Sequence, residues 1–363
     1  MKQEFEFMGK KLQKNQGERR MRRKIAQSRA MLFLLVLITV GCGNPSAQTM
    51  KNSAGSYAIV MKSEGNTYNE KVVEGFERVI EEAGGTCIIA YPSNPTAEEQ
   101  MIRIEELIHQ KVDAIAVAAN DANALQSILE EAMKEGIKVS TLDSNTNPYS
   151  RQTFVNQAAT EDIGSVLAEA VYDISGGKGQ WAILSATSMA ANQNEWIDAM
   201  KGELESSKYK ELRLVDIVYG NDDYELSREK TRQLLAAYPD LKVICAPTVK
   251  GILAAASVLE EEGAATVKVT GLGLPSEMSS YIGPSRPCPY MFLWNPEDVG
   301  ALSAYVSLAL VNGTITGKEG EHFQAGSLGE VEITKCPDGG TEVIVGAPLR
   351  IDGSNIGKWK NEF

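Results

Sequence analysis

"AIVMKSEGNTYNEKVVEGF", residues 58–76, carries a strand, a polar loop and the start of a helix in nineteen letters. Ala58-Ile59-Val60-Met61 is an apolar run of strand length. Val72, Val73, Phe76, Val79 and Ile80 then recur at helical spacing. Lys62 stands between the two, directly after the apolar run. A buried strand that hands an ammonium group to its carboxyl end puts it where open α/β sheets bind ligands.

The unit repeats along the chain. Strand-like runs fall at 57–61, 86–91, 114–119 and 137–142, with amphipathic helical stretches near 68–83, 95–110 and 121–135. Gly84-Gly85 and Gly136 stop two of these helices, as left-handed caps do. This βαβ alternation predicts a parallel sheet covered by helices on both faces. It then restarts, with strands at 180–185, 212–218, 242–246 and 267–272 and helices near 161–174, 193–206, 224–237 and 249–262. The tail adds a strand ending at Trp294, a helix over about 297–312, and two strands within 329–348 joined by Pro337-Asp338-Gly339-Gly340. The predicted fold class is α/β, with two doubly wound parallel-sheet lobes.

The amino terminus is of another kind. Residues 19–29 are rich in arginine, the run Ala30–Ile38 is apolar, and Thr39-Val40-Gly41-Cys42 follows. A basic segment, a short apolar segment and small residues describe an export signal, here residues 1–41. Met8 and Met21 stand as alternative starts within it. The apolar run is short for a membrane span. Residues 42–55 are small, polar and aperiodic, a tether. Residues 1–41 hold ten Lys/Arg and three Asp/Glu, so a chain of net charge −12 has −19 on the remainder. So acidic a body repels phosphate backbones, and nucleic acid is not an expected partner.

Cys87, Cys245, Cys288 and Cys336 match no metal-site spacing, and no cofactor is expected. Cys87 and Cys245 lie in strand-like runs and read as small core residues. Cys288 and Cys336 lie in Pro/Gly-containing loops of an exported chain, where a disulfide between them is an option. His109 sits in a helical pattern and His322 in a glycine-rich loop. There is no H-E-x-x-H, no Gly-x-Ser-x-Gly and no phosphate-binding Gly-x-x-x-x-Gly-Lys-Ser/Thr. "GLGLPS", residues 271–276, lacks the third glycine of a dinucleotide-binding turn. The chain is expected to bind rather than to catalyse.

The strand ends supply the candidate site. They deliver Lys62, Asp143, Asn192-Gln193 at a helix start, Pro247-Thr248-Val249, and Trp294-Asn295. One cation, one anion, amides and an indole suit a small polyhydroxylated molecule, through charge-assisted hydrogen bonds and packing on a sugar ring face. Each residue also has a local role open to it. Asp143 can cap the turn before Pro148, Asn192 can cap a helix, and Trp294 can be core.

With "TLDSNTNP" (141–148), "NQNEW" (192–196), "ICAPTVKGILAAA" (244–256), "GLGLPSEMSSYI" (271–282), "FLWNPEDVG" (292–300) and "DGSNIGKW" (352–359), residues 56–363 resemble the type I periplasmic sugar-binding proteins, substrate receptors of ABC importers. The similarity is to the branch holding the rhamnose-binding and autoinducer-2-binding proteins. The autoinducer-2 receptor's contact pattern falls on Lys62, Asp143, Asn192-Gln193, Pro247 and Val249. Asn192 replaces an aspartate and Val249 an alanine, which favours a rhamnose-like sugar over autoinducer-2. The alternative is an autoinducer-2 receptor or sugar sensor reporting to a signalling partner.

The resemblance implies two lobes joined by three strands, crossing near 145–151, 294–297 and 317–325. The first lobe would take 56–148 plus 296–320, the second 149–294 plus 321–363. Gly41-Cys42 resembles a lipobox, with Thr39 in place of the usual leucine, and implies lipidation at Cys42. The implied partners are a small sugar, an ABC-transporter permease, and the membrane through that lipid, at the outer face of the cell membrane (the periplasmic side in a Gram-negative cell). The chain would act as a monomer.

Overall fold

The computed structural model describes residues 55–362, so the expected export signal, Cys42 and the expected tether up to residue 54 lie outside the described residues. β1 (Ser56–Val60) leads to α1 (Thr67–Glu82), whose first turn is capped where Asn66 accepts the Tyr68 N–H. Then come β2 (Thr86–Ala90), α2 (Ala97–Gln110), β3 (Ala114–Val117), α3 (Gln126–Lys134), β4 (Lys138–Leu142) and β5 (Thr153–Asn156). The second run is α4 (Thr160–Ser175), β6 (Gly179–Ser185), α5 (Ala191–Leu204), β7 (Leu212–Tyr219), α6 (Tyr224–Ala237), β8 (Leu241–Ala246), α7 (Val249–Glu261), β9 (Lys268–Gly271) and the short α8 (Pro275–Met278). The tail holds β10 (Tyr290–Leu293), α9 (Pro296–Val311), β11 (His322–Gln324), β12 (Glu330–Glu332), β13 (Thr334–Lys335), β14 (Thr341–Ile344), β15 (Leu349–Asp352) and α10 (Ile356–Trp359).

The first sheet has the order β13-β14-β5-β4-β3-β1-β2, parallel except for the β13–β14 pair. The period-2 alternation of β1 separates its two faces. Tyr57, Ile59 and Met61 join the core under α1 and α9, with Val72, Phe76, Val299 and Leu302. Ala58 and Val60 join the core under α2 and α3, with Ile104, Leu107 and Leu129. The second sheet is parallel in the order β7-β6-β8-β9, and β10 continues it through a Leu272–Phe292 bridge before pairing with β15. The doubly wound α/β class expected from the alternation is the fold found.

The strand pairing corrects two expected crossings. β5 pairs with β4, and β14 pairs with β5, so both strands belong to the first sheet rather than to the second lobe. The chain leaves that sheet at Gln157-Ala158-Ala159, beyond the expected 145–151. Its last passage lies between β14 and β15, at 345–348 rather than 317–325. Periodicity identifies a strand but not its neighbour, and β5 is only four residues long. His322 opens β11 instead of sitting in a loop. Cys288 and Cys336 are separate thiols: Cys288 Sγ donates to the Tyr290 carbonyl at 3.4 Å and Cys336 Sγ takes the Asn145 Nδ2 group at 3.9 Å.

α1 and α9 cross backbone to backbone. A Cβ on Gly300 would lie 1.8 Å from the Val72 carbonyl oxygen, and one on Gly75 would lie 2.0 Å from that of Glu297. No side-chain adjustment relieves a contact with backbone. Gly300→Ala is expected to destabilise the protein by at least about 2 kcal/mol in urea denaturation. A loss within about 0.5 kcal/mol, as at an uninvolved surface site, would contradict this close crossing.

Candidate functional site

β1 leads directly into Met61-Lys62 and β4 into Asp143, one strand away across β3. Lys62 Nζ lies 3.0 Å from Asp143 Oδ2, with the side chains 21% and 9% exposed. Asp143 has φ +58, in the left-handed region that Asp tolerates better than most residues. Its backbone N–H donates to the Val155 carbonyl at 3.2 Å, which holds the turn against β5. Its side chain turns to Lys62 and Tyr68 rather than capping the following turn.

Tyr68, in the first turn of α1, donates its hydroxyl to Asp143 Oδ1 at 3.2 Å and accepts the Trp294 Nε1–H at 2.7 Å. Burial, then the neighbouring Asp143 charge, holds the Tyr68 hydroxyl well above its usual pKa, so it stays neutral. Trp294 stands edge-on to two rings, with centroids 6.5 Å from Tyr68 and 5.8 Å from Trp196 of α5. Two aromatic neighbours and one hydrogen bond fix the plane of its indole.

The second lobe supplies α5. Ala190 precedes its first turn, so Asn192 is not the helix cap. Asn192 reaches the first lobe instead: its Oδ1 accepts from Lys62 Nζ at 3.5 Å, and its Nδ2 donates to the Asp143 carbonyl and Oδ2 at 3.4 and 3.5 Å. These are long bonds and individually weak. Gln193 turns its carbonyl to its own lobe, accepting the Ser185 hydroxyl at 2.7 Å and the Ala186 N–H at 2.8 Å. That leaves its amide nitrogen as the end not fastened to β6.

Lys62, Asp143, Asn192, Gln193, Pro247, Val249 and Trp294 all line one cavity, whose empty space is about 470 Å³ with its open mouth included. Cys42 lies outside the described residues. The same wall includes Thr248, delivered with Pro247 and Val249, and also Asn66, Tyr68, Trp196 and Asp222, which sequence reasoning missed. Asp222 follows β7 at φ +51 and accepts a hydrogen bond from the Thr248 hydroxyl. Crowding by protein pushes its carboxyl above the usual carboxylate range, opposed by the Thr248 bond and by the charge of Lys62. Asp222 is exposed as a residue, so solvent tempers that rise. The strand-end rule applied to β7 leads to Gly220-Asn221-Asp222; Tyr68 and Trp196 instead carry the periodicity of ordinary helix core.

This chemistry can hold a small polar guest. A cation and two carboxylates offer strong partners for hydroxyl groups, and the aromatic wall offers an apolar face.

Residues 57–315 match the family described as a periplasmic binding protein domain. A solute-binding protein of an ABC transporter from Clostridium phytofermentas, solved with bound L-rhamnose, is 51% identical and covers 86% of this chain and 99% of its own, with a TM-score of 0.84. LsrB from Clostridium saccharobutylicum, in complex with AI-2, shares the fold at 22% identity and TM-score 0.78, over 84% of this chain and 99% of its own. Among curated proteins, the D-ribose/D-allose-binding protein of Pseudomonas aeruginosa is 26% identical over 238 residues, 62% of this chain and 69% of that protein. Such proteins bind and deliver solutes and perform no chemistry on them. A match across most of the chain, on sheets whose strand ends meet at one cavity, makes this chain a member of the periplasmic binding protein family, with its type I fold.

Proposed function

We propose that this protein is the exported sugar receptor of an ABC importer and that its ligand is L-rhamnose or a sugar of similar shape. The observation that carries the reading is the meeting of Lys62 and Asp143 with Asn192 from the other lobe, beside Trp294. A 51% identical protein with L-rhamnose bound supports the same sugar class. In this reading Lys62, Asp143 and Asn192 bond the ring hydroxyls, Gln193 offers its amide N–H groups, and Trp294 packs on the apolar ring face. Pro247 and Val249 shape the wall. Asp222 is added to the set as a further acceptor.

Sugar stabilises the closed arrangement because only that state contacts it from both lobes. The closed, loaded protein then docks on a permease, and the transporter's ATPase supplies the work. The lobes are proposed as 56–156 plus 296–344 and 160–293 plus 349–362, in line with the strand pairing. Lipidation at Cys42 would keep the protein at the outer face of the cell membrane; a single acyl chain binds weakly, so stable retention calls for more than one.

Calorimetry and thermal shift with L-rhamnose, D-allose, D-ribose and autoinducer-2 test the reading. L-rhamnose at about 100 times its Kd is expected to add about 2.7 kcal/mol of stability. Asp143→Asn keeps the side-chain volume and the tolerance for positive φ while removing the charge. It is expected to weaken L-rhamnose binding at least about tenfold, the cost of about one charged hydrogen bond, with the unliganded protein still folded. Undiminished affinity in the folded variant would remove Asp143 from the site.

The second test separates the two ligand types. An aspartate at 192 would set a carboxylate within reach of Asp143 Oδ2, where the Asn192 amide now donates at 3.5 Å. Asn192→Asp with Val249→Ala is expected to weaken L-rhamnose binding and strengthen autoinducer-2 binding. An unchanged order of preference would contradict the roles given to these two positions, and wild-type binding of autoinducer-2 ahead of every sugar would favour the signalling receptor.

A further inference from the structure

A polar contact joins the lobes outside the cavity. Thr67, the first residue of α1, donates its hydroxyl to Glu277 Oε1 at 2.9 Å. Glu277 belongs to α8 of the second lobe. Lys250, in the first turn of α7, brings its ammonium to 3.8 Å from the same oxygen, and the two side chains are 21% and 19% exposed. Asn66 and Tyr68, on either side of Thr67, line the cavity, whereas Thr67 and Glu277 do not. Glu277 Oε2 is buried and takes no hydrogen bond. A carboxylate half-stripped of partners is costly, so its placement depends on the bond from Thr67 and the charge of Lys250.

We propose that Thr67 and Glu277 form an interlobe latch, set in place by Lys250, that prolongs the closed state without touching the ligand. The inference rests on the proposed sugar-driven closure. A contact made only in the closed state shifts the open–closed equilibrium by its own free energy, whatever guest is bound. The latch therefore sets affinity and release rate, and leaves the order of preference among sugars to the cavity. Thr67 and Glu277 are positioning residues in this scheme. Opening the lobes breaks their bond and returns Glu277 to water, where both its oxygens are solvated.

The test combines affinity with a ligand-independent measure of proximity, in the full chain. Calorimetry and stopped-flow release are run with L-rhamnose and with D-allose. Thr67→Val and Glu277→Ala are each expected to weaken both sugars by the same factor, about tenfold, through faster release. The double variant is expected to be no weaker than either single one, because one bond is lost in all three. Glu277→Gln keeps an oxygen for Thr67 and is expected to recover most of the affinity. Thr67→Cys with Glu277→Cys is expected to form a disulfide under mild oxidation, assigned by peptide mass mapping, and faster with L-rhamnose present.

Equal affinities in wild type and single variants, additive losses in the double variant, or a loss confined to one sugar would overturn the latch. So would failure of the cysteine pair to cross-link in both conditions. Wild-type protein that binds no sugar would sink the proposed function, and the cross-link alone would then decide whether the lobes meet at this pair.

Discussion

The 3.0 Å ion pair between Lys62 and Asp143 ties the ends of two parallel strands together at the cavity that residues of both lobes line. Taking an ammonium and a carboxylate partly out of water is unfavourable unless other bonds support each charge. Here Tyr68 donates to Asp143, Trp294 donates to Tyr68, and Asn192 turns its oxygen to Lys62 and its nitrogen to Asp143. The result is a polar chain that runs from the aromatic wall through the ion pair to the second lobe. Each link orients the next, so the groups that would grip a guest are aimed in advance.

The scaffold serves that arrangement. Parallel strands deliver every carboxyl end to one edge of the sheet, and the Asp143 turn is kept in an unusual conformation by its bond to β5. The buried Arg151 clamps the same region, bonding the Thr146 carbonyl at 2.8 Å and Asp338 at 2.8 Å in the β13–β14 turn. Gly75 and Gly300 let α1 and α9 touch, which fixes the helix from which Tyr68 projects. Core packing thus sets the position of the cleft residues, while polar contacts set their orientation.

Much of this is written in the chain. Hydrophobic alternation places both α/β units, and the rule that ligands bind at strand ends brings Lys62, Asp143, Asn192, Gln193, Pro247, Val249 and Trp294 to one cavity. What escapes is non-local. The pairing of β14 with β5 spans nearly two hundred residues, which no local period encodes. Asp222 sits at a strand end of the same kind but amid the polar run Gly220-Asn221-Asp222-Asp223, which reads as plain loop. Tyr68 and Trp196 carry a helical period, and nothing in the letters distinguishes a core ring from one at a cavity wall. The pairing considered for Cys288 and Cys336 fails because each thiol is buried among its own neighbours.

In the proposed function a small sugar sits between the lobes, held by the ion pair and its neighbours. A crystal structure of the protein grown with L-rhamnose tests it most directly. One sugar is expected enclosed in the cleft, its hydroxyls within hydrogen-bond distance of Lys62, Asp143 and Asn192 and its ring against Trp294. Sugar density on any other surface, or a cleft that excludes L-rhamnose at saturating concentration, would contradict it.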